Sequence, residues 1–448
     1  NWASAAPTRP TDATDPNDPA YRWTEFDNAD RLASAAGAEL LLNVDTAPAW
    51  AEGPNRPTTG YGLTGQDGPS AGAWNPDPIA LGQFATALAR RYDGNTPDPQ
   101  DPSRMLPRVR LFEVWNEPEL KRFLAPQCSV GLMSKYGRCT HKGKVAAELY
   151  RGLLNAFYDG VKAIQPDATI SIGGIGSASS SSQGYEVPPF AFIRSLLCLY
   201  PGPKAGTLAA KSDATCPTKA RFDAISYHPY TLFGTPTSKS PQTDGLALGD
   251  TPKLRNTVAF AVANARVEPA TPKEMWVTEI DWLTCPPCGY VRSTGAKRGL
   301  SESSAAASTS QMIYRLWSWG VTTMTWYSLV DKPGWWPAAG LYFQGATTAE
   351  AKPKLGLTAF AFPSFAAKTT GGAFAWAMSP CRQAGDTIEF EAKDGKVWKQ
   401  VGSGITTDDG TVTTPAWPIA RGTTSVRATV VGGICDTRRS LAVSILSS

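Results

Sequence analysis

Val114-Trp115-Asn116-Glu117-Pro118 closes an apolar run that begins at Val109. Its residues are those of a buried strand. Proline lacks the N–H that a central strand needs, so Pro118 stops the strand and leaves Glu117 at its carboxyl end. Further along, Val277-Thr278-Glu279-Ile280-Asp281-Trp282 ends a second such run, which begins at Glu274. Two glutamates at the carboxyl ends of two buried strands frame the rest of the reading.

Between and around these runs, strand-like and helical stretches alternate. The strands are expected at Glu39–Asp45, Val109–Trp115, Thr169–Gly174, Phe222–Tyr227, Glu274–Asp281 and Val321–Leu329, with Asn1–Ser4 as the tail of one more. Helices are expected at Tyr21–Ala36, Pro78–Tyr92, Lys144–Ile164, Pro189–Leu199, Lys253–Ala265, Ser303–Trp319 and Leu355–Lys368. In Lys144–Ile164 the apolar residues Val145, Leu149, Leu153, Phe157, Val161 and Ile164 recur at helical spacing. Such alternation implies a parallel sheet covered by helices. The long irregular stretches mostly follow strands, where a barrel enzyme builds its site. No glycine-rich phosphate turn follows the first strand, which argues against a doubly wound nucleotide fold. The expected fold is a (β/α)8 TIM barrel over residues 1–370. From about Gly371 helical periodicity gives way to short strand runs separated by turns such as Asp394-Gly395 and Asp409-Gly410, which predicts a C-terminal β-sandwich domain over residues 371–448.

Composition narrows the classes of function. The 448 residues carry a formal net charge of only +4 and no Lys/Arg block, so nucleic acid is a poor partner. No apolar run reaches the roughly 18 residues of a membrane span. Eight cysteines fall into neighbouring pairs, Cys128/Cys139, Cys198/Cys216, Cys285/Cys288 and Cys381/Cys435, which suggests disulfides and a secreted, extracellular protein. Zinc is disfavoured, because only His141 and His228 accompany these cysteines. Cys285-Pro-Pro-Cys288 has the spacing of a redox pair but lacks a thioredoxin-like context, so a loop-closing disulfide is the better reading. No cofactor or metal is expected, and a monomer acting on carbohydrate is.

Paired carboxylates at a barrel mouth suit glycoside cleavage. One must hold a proton for the leaving oxygen and the other must be ionised to attack the anomeric carbon. Glu117 is the candidate acid/base and Glu279 the candidate nucleophile. Asn116 is placed to meet a sugar hydroxyl. His228 or Tyr230, at the end of the strand before Glu279, can donate to it. The 15 tryptophans offer flat apolar faces; Trp50, Trp282, Trp326, Trp335 and Trp336 fall at strand ends or in the loops that follow. Glu113, Glu119, Glu274 and Asp281 are the rival carboxylates and read as rim charges. The competing function is a non-catalytic carbohydrate-binding barrel, against which the intact glutamate pair argues.

Phe112-Glu113-Val114-Trp115-Asn116-Glu117-Pro118 resembles the acid/base strand of glycoside hydrolase family 39 and its relatives, in the clan with catalytic glutamates on barrel strands four and seven. Val277-Thr278-Glu279 is similar to the clan's nucleophile strand, and His228-Pro229-Tyr230 to its strand six. The likeness covers about the first 370 residues. It implies a retaining double displacement, with Asn116 on the sugar 2-hydroxyl, Tyr230 orienting Glu279 and Trp326 flooring the sugar site. Counting back from Glu117 on strand four, Asn1 falls at the end of strand two. Trp2 is then the first site candidate, and at least one β/α unit is expected upstream of Asn1.

Overall fold

The computed structural model describes residues 1–58, 68–127, 145–178, 186–231, 234–284, 290–291, 297–332, 338–433, 435 and 437–447. The pairs Cys128/Cys139 and Cys285/Cys288, with Trp335 and Trp336, lie outside the described residues. The chain forms two compact units. The first holds Asn1–Tyr230, Lys239–Glu279 and Thr322–Met324, and the second Thr231–Ser238, Ile280–Val321 and Thr325–Ser448.

The first unit is built on a curled sheet of six parallel strands in chain order: β1 (Leu41–Val44), β2 (Leu111–Asn116), β3 (Thr169–Ile175), β4 (Ala224–Tyr227), β5 (Glu274–Val277) and β6 (Thr323–Met324). Phe112 to Trp115 are all buried, as expected of a strand covered on both faces. The expected ring of eight is corrected here: among the described residues the sheet has six strands and is not closed. The expected strand tail at Asn1–Ser4 is also corrected. Trp2–Ala5 forms a short helix, α1, because the Asn1 side chain caps it by accepting the Ser4 N–H at 2.8 Å.

The helices of this unit follow the sequence pattern: α2 (Thr24–Ala35), α3 (Pro78–Arg91), α4 (Ala146–Lys162), α5 (Pro189–Leu196) and α6 (Thr251–Ala263). Asp77 caps α3 by accepting from Ile79 N–H, and Pro78 takes the first turn, where its missing N–H costs nothing. On α4, Tyr150, Leu153, Phe157 and Val161 make the buried stripe. Glycines let α3 and α4 approach closely. A side chain on Gly160 would strike the Gly82 carbonyl, and one on Gly82 would lie 2.9 Å from the Ala156 carbonyl. Arg91 holds α2 through a buried bidentate pair with Asp27 at 2.9 and 2.6 Å, and the Tyr92 hydroxyl adds a bond to the same carboxylate at 2.9 Å. Cys198 and Cys216 form a disulfide.

The second unit contains α7 (Glu302–Ser318), α8 (Leu355–Ala361) and strands β7 (Ser364–Thr369), β8 (Gly372–Met378), β9 (Thr387–Asp394), β10 (Val397–Ile405), β11 (Thr411–Thr413), β12 (Thr423–Gly432) and β13 (Val443–Ser444). The helix expected through Lys368 stops at Ala361. Pro363 excludes α conformation at Phe362, whose φ is −133°, and the chain leaves extended as β7. Strands order as β7-β8-β11 and β10-β9-β12-β13, all antiparallel. Ile388, Phe390 and Ala392 alternate inward along β9 and join Ala366, Ala375 and Val412 of the other sheet in one apolar cluster. Cys381 and Cys435 are bonded. No helix among the described residues is long and apolar enough to cross a membrane.

Candidate active site

The site lies within the first unit and begins with an irregularity at the end of β2. Val114 pairs with Ile172 and Asn116 with Gly174, but Trp115 between them has φ +75° and interrupts the ladder. The Tyr150 hydroxyl from α4 closes the gap. It donates to the Val114 carbonyl at 2.7 Å and accepts the Gly173 N–H at 2.5 Å. Glu117 follows at φ +36°, its N–H on the Gly174 carbonyl at 3.0 Å. Left-handed residues that are not glycine cost about 1–3 kcal/mol each and persist where their surroundings over-determine them. Tyr150 is part of that support.

The Glu117 side chain is 9% exposed. Its Oε1 lies 3.2 Å from His228 Nδ1 and its Oε2 accepts from Arg122 Nη2 at 2.8 Å. The same His228 Nδ1 lies 3.7 Å from Glu279 Oε2, which also accepts from the Tyr230 hydroxyl at 2.8 Å. One imidazole therefore stands between the two carboxylates. Those two oxygens are at most about 7 Å apart, a bound that spans the retaining spacing of about 5–5.5 Å and the start of the inverting range at about 6.5 Å.

Further carboxyls lie around this layer. Glu113 is 2% exposed and accepts from Asn43 Nδ2 at 2.7 Å, across the β1–β2 register that pairs Asn43 with Glu113. Glu119 is fully buried and accepts the Gly176 N–H at 2.6 Å. Neither is the rim charge expected from the sequence; Glu274 is exposed and Asp281 is buried. The room is made by glycines at the end of β3. A side chain on Gly174 would collide with the His228 ring, and one on Gly176 would crowd Glu119 and Glu117 at 2.8 and 2.9 Å. A Gly-Gly-x-Gly run in a buried strand signals such an approach, and it was legible in Gly173-Gly174-Ile175-Gly176. Asn43, Arg122 and Tyr150 carry no such signal.

These environments set distinct proton affinities. Burial opposes charge on Glu117, but the hydrogen bond and charge of His228, then those of Arg122, outweigh it and hold the carboxyl below its ordinary range. Two residues on, burial and the charge of Glu117 push Glu119 up to about 8. Burial also raises Glu113. Burial works against a charged His228, yet Glu279, Glu117 and Glu113 around it lift its pKa to about 9. At neutral pH it is an imidazolium.

The remaining sequence candidates divide. Asn116 sits half-buried at the end of β2, beside Glu117. Trp2 is fully buried, stacked on Phe84 and edge-on to Trp50, each at 5.8 Å. Trp50 is half-buried, donates to the Ala6 carbonyl and has Arg9 over its ring at 5.1 Å. These contacts make both part of the packing around α1 and α3. Trp282 and Trp326 belong to the second unit. Trp282 is 5% exposed; Trp326 donates to the Ala339 carbonyl at 2.8 Å and meets Phe360 edge-on. Among the described residues the metal-type donors Cys381, Asp386 and Cys435 cluster, but the two sulfurs are bonded to each other.

Two carboxylates of unlike environment, facing one another across a charged imidazole, define a carboxylate-pair site. No family model matches the sequence, and no curated protein does. The solved structures to which the chain is similar include glycoside hydrolases. One is a family 39 glycoside hydrolase from Bacteroides cellulosilyticus WH2, at 18% identity over 96% of this chain and 74% of that one, TM-score 0.48. Another is the catalytic domain of a GH30 xylanase C from Talaromyces cellulolyticus, at 16% identity over 93% and 83%, TM-score 0.41. A third is a family 1 β-glucosidase from Thermotoga maritima, at 13% identity over 74% of each chain, TM-score 0.37.

Proposed function

We propose that this protein is a retaining O-glycoside hydrolase that cleaves a polysaccharide or glycoconjugate by double displacement. The observation that carries the reading is the chain of contacts Glu117–His228–Glu279–Tyr230, which gives two nearby carboxylates different surroundings. Glu279, 29% exposed and held by Tyr230, is the nucleophile. Its Oε attacks the anomeric carbon while the bond to the glycosidic oxygen breaks, and Glu117 delivers a proton to that leaving oxygen. In the second step Glu117 takes a proton from water, whose oxygen attacks the same carbon and releases Glu279. The nearest proton source for Glu117 is His228 Nδ1, at 3.2 Å. Asn116, beside Glu117, contacts the sugar. Trp2 is fully buried and takes no sugar ring; Trp50, half-buried, stays a sugar-ring candidate.

On this reading the parallel sheet belongs to a (β/α)8 barrel and the antiparallel sheets to an accessory β-sandwich. Secretion accords with the Cys198–Cys216 and Cys381–Cys435 disulfides. A panel of aryl glycosides, with the anomer of the first-formed sugar read by NMR, tests the proposal. Release of the same anomer as the substrate is expected. Inversion overturns the mechanism, and no hydrolysis of any glycoside overturns the function.

A further inference from the structure

Arg122 makes an arrangement that poorly suits an acid. Its guanidinium lies 2.8 Å from the carboxylate proposed to donate the proton and keeps that carboxylate ionised. Four other groups surround Glu117. His228 faces it from the end of β4, Glu119 from its own loop, and Glu279 and Glu113 through the shared imidazole. All four are less exposed than Arg122, whose side chain is 58% exposed while His228 is fully buried. Arg122 also lies over the Phe123 ring at 4.4 Å, which leaves the planar fork an edge to present to a ligand.

The pair joins a buried carboxylate to a guanidinium that is 58% exposed, so a ligand anion can reach the arginine without entering the buried layer. A bidentate contact to carboxylate or sulfate is among the strongest a guanidinium makes. Because Arg122 approaches from the side of the acid, the anion it meets belongs to the sugar that departs.

We propose that Arg122 is an anion receptor on the leaving-group side of the site, and that a glycan whose leaving sugar carries a carboxylate or sulfate draws the guanidinium away from Glu117 as it binds. Only Glu119 and His228 then remain against Glu117, and the proton on His228 Nδ1 moves to Glu117 Oε1, from which it passes to the departing oxygen. The correct substrate arms the acid; a neutral one leaves it paired. This rests on the glycosidase reading.

The test uses paired aryl glycosides of one sugar whose phenol carries a meta-carboxylate or its methyl ester, with a meta-sulfate as a third arm. The wild type is expected to favour one anionic leaving group by at least about tenfold in kcat/KM, and the arm that wins separates a carboxylate from a sulfate. In Arg122→Gln the preference disappears, and the alkaline limb on the neutral ester moves to higher pH, because Glu117 holds its proton longer. Arg122→Lys keeps charge without the fork and retains part of the preference. Equal rates on all three arms in the wild type, or a preference that survives in Arg122→Gln, overturns the inference while leaving the glycosidase reading intact. Hydrolysis of no pair removes both.

Discussion

The ends of β2 and β5 carry the same side chain in opposite settings. At the end of β2 the backbone is irregular, with Trp115 and Glu117 both at positive φ, and the carboxylate is buried against two cations. At the end of β5 neither Thr278 nor Glu279 has positive φ, and the carboxylate is three times as exposed, at 29% against 9%, with a tyrosine hydroxyl as donor and the shared His228 farther off, at 3.7 Å. A nucleophile needs access, which an open strand end supplies. A group that gives and takes a proton needs neighbours whose charges decide when it holds one. That requires more surrounding structure, and the strain and glycines gather on the β2 side.

The contrast breaks most visibly in Glu279→Ala, which should lower kcat by about 10⁴-fold or more, with azide unable to restore retention. Glu117→Ala should cost about 10²–10⁴-fold on poor leaving groups and little on activated ones, with azide rescue and retained configuration. Equal losses without rescue in both variants would erase the division of roles. Tyr230→Phe removes one charge-assisted hydrogen bond, so kcat/KM should fall by about 10–100-fold without loss of folding; an unchanged value means another group holds Glu279. Tyr150→Phe leaves the Gly173 N–H without its acceptor and should lower stability by about 1–3 kcal/mol, seen as a lower urea midpoint, and lower kcat along with it. A variant as stable and active as the wild type would show that the β2 irregularity does not depend on that clasp.

The smallest effect is a slope. The Glu119 carboxyl is raised from its ordinary 4.5 to about 8. The folded chain keeps a proton that the unfolded chain loses near 4.5, so stability contributed by this group falls as pH rises from about 4.5 to about 8. His228, raised from 6.5 to about 9, adds stability below 6.5 that is lost as pH rises through 9. Glu119→Gln should flatten the lower part of this decline in melting temperature against pH. An unaltered slope would place the titration elsewhere.

The strand ends were legible because their signal is local: an apolar run, a carboxylate and, after Glu117, a proline. The helix α4 was legible for the same reason, through its apolar stripe. The Asn43–Glu113 bond was not, since it depends on a register between residues seventy apart in sequence. Glu119 looked like a rim charge because sequence cannot report that Gly176 leaves room to bury it. Trp2 looked like a sugar platform until Phe84 and Trp50 were found against it. The apolar stretch on both sides of Pro363 suits a helix or a strand equally by pattern, and the proline divides it between α8 and β7.

The most direct measurement of the central assignment is trapping with a set of activated 2-deoxy-2-fluoro glycosides, followed by peptide mass spectrometry. The slowed second step should leave the sugar covalently attached to Glu279, with no attachment in Glu279→Ala. A sugar found on Glu117, or on neither residue with a turned-over fluoro-glycoside, would contradict the assignment of Glu279 as nucleophile.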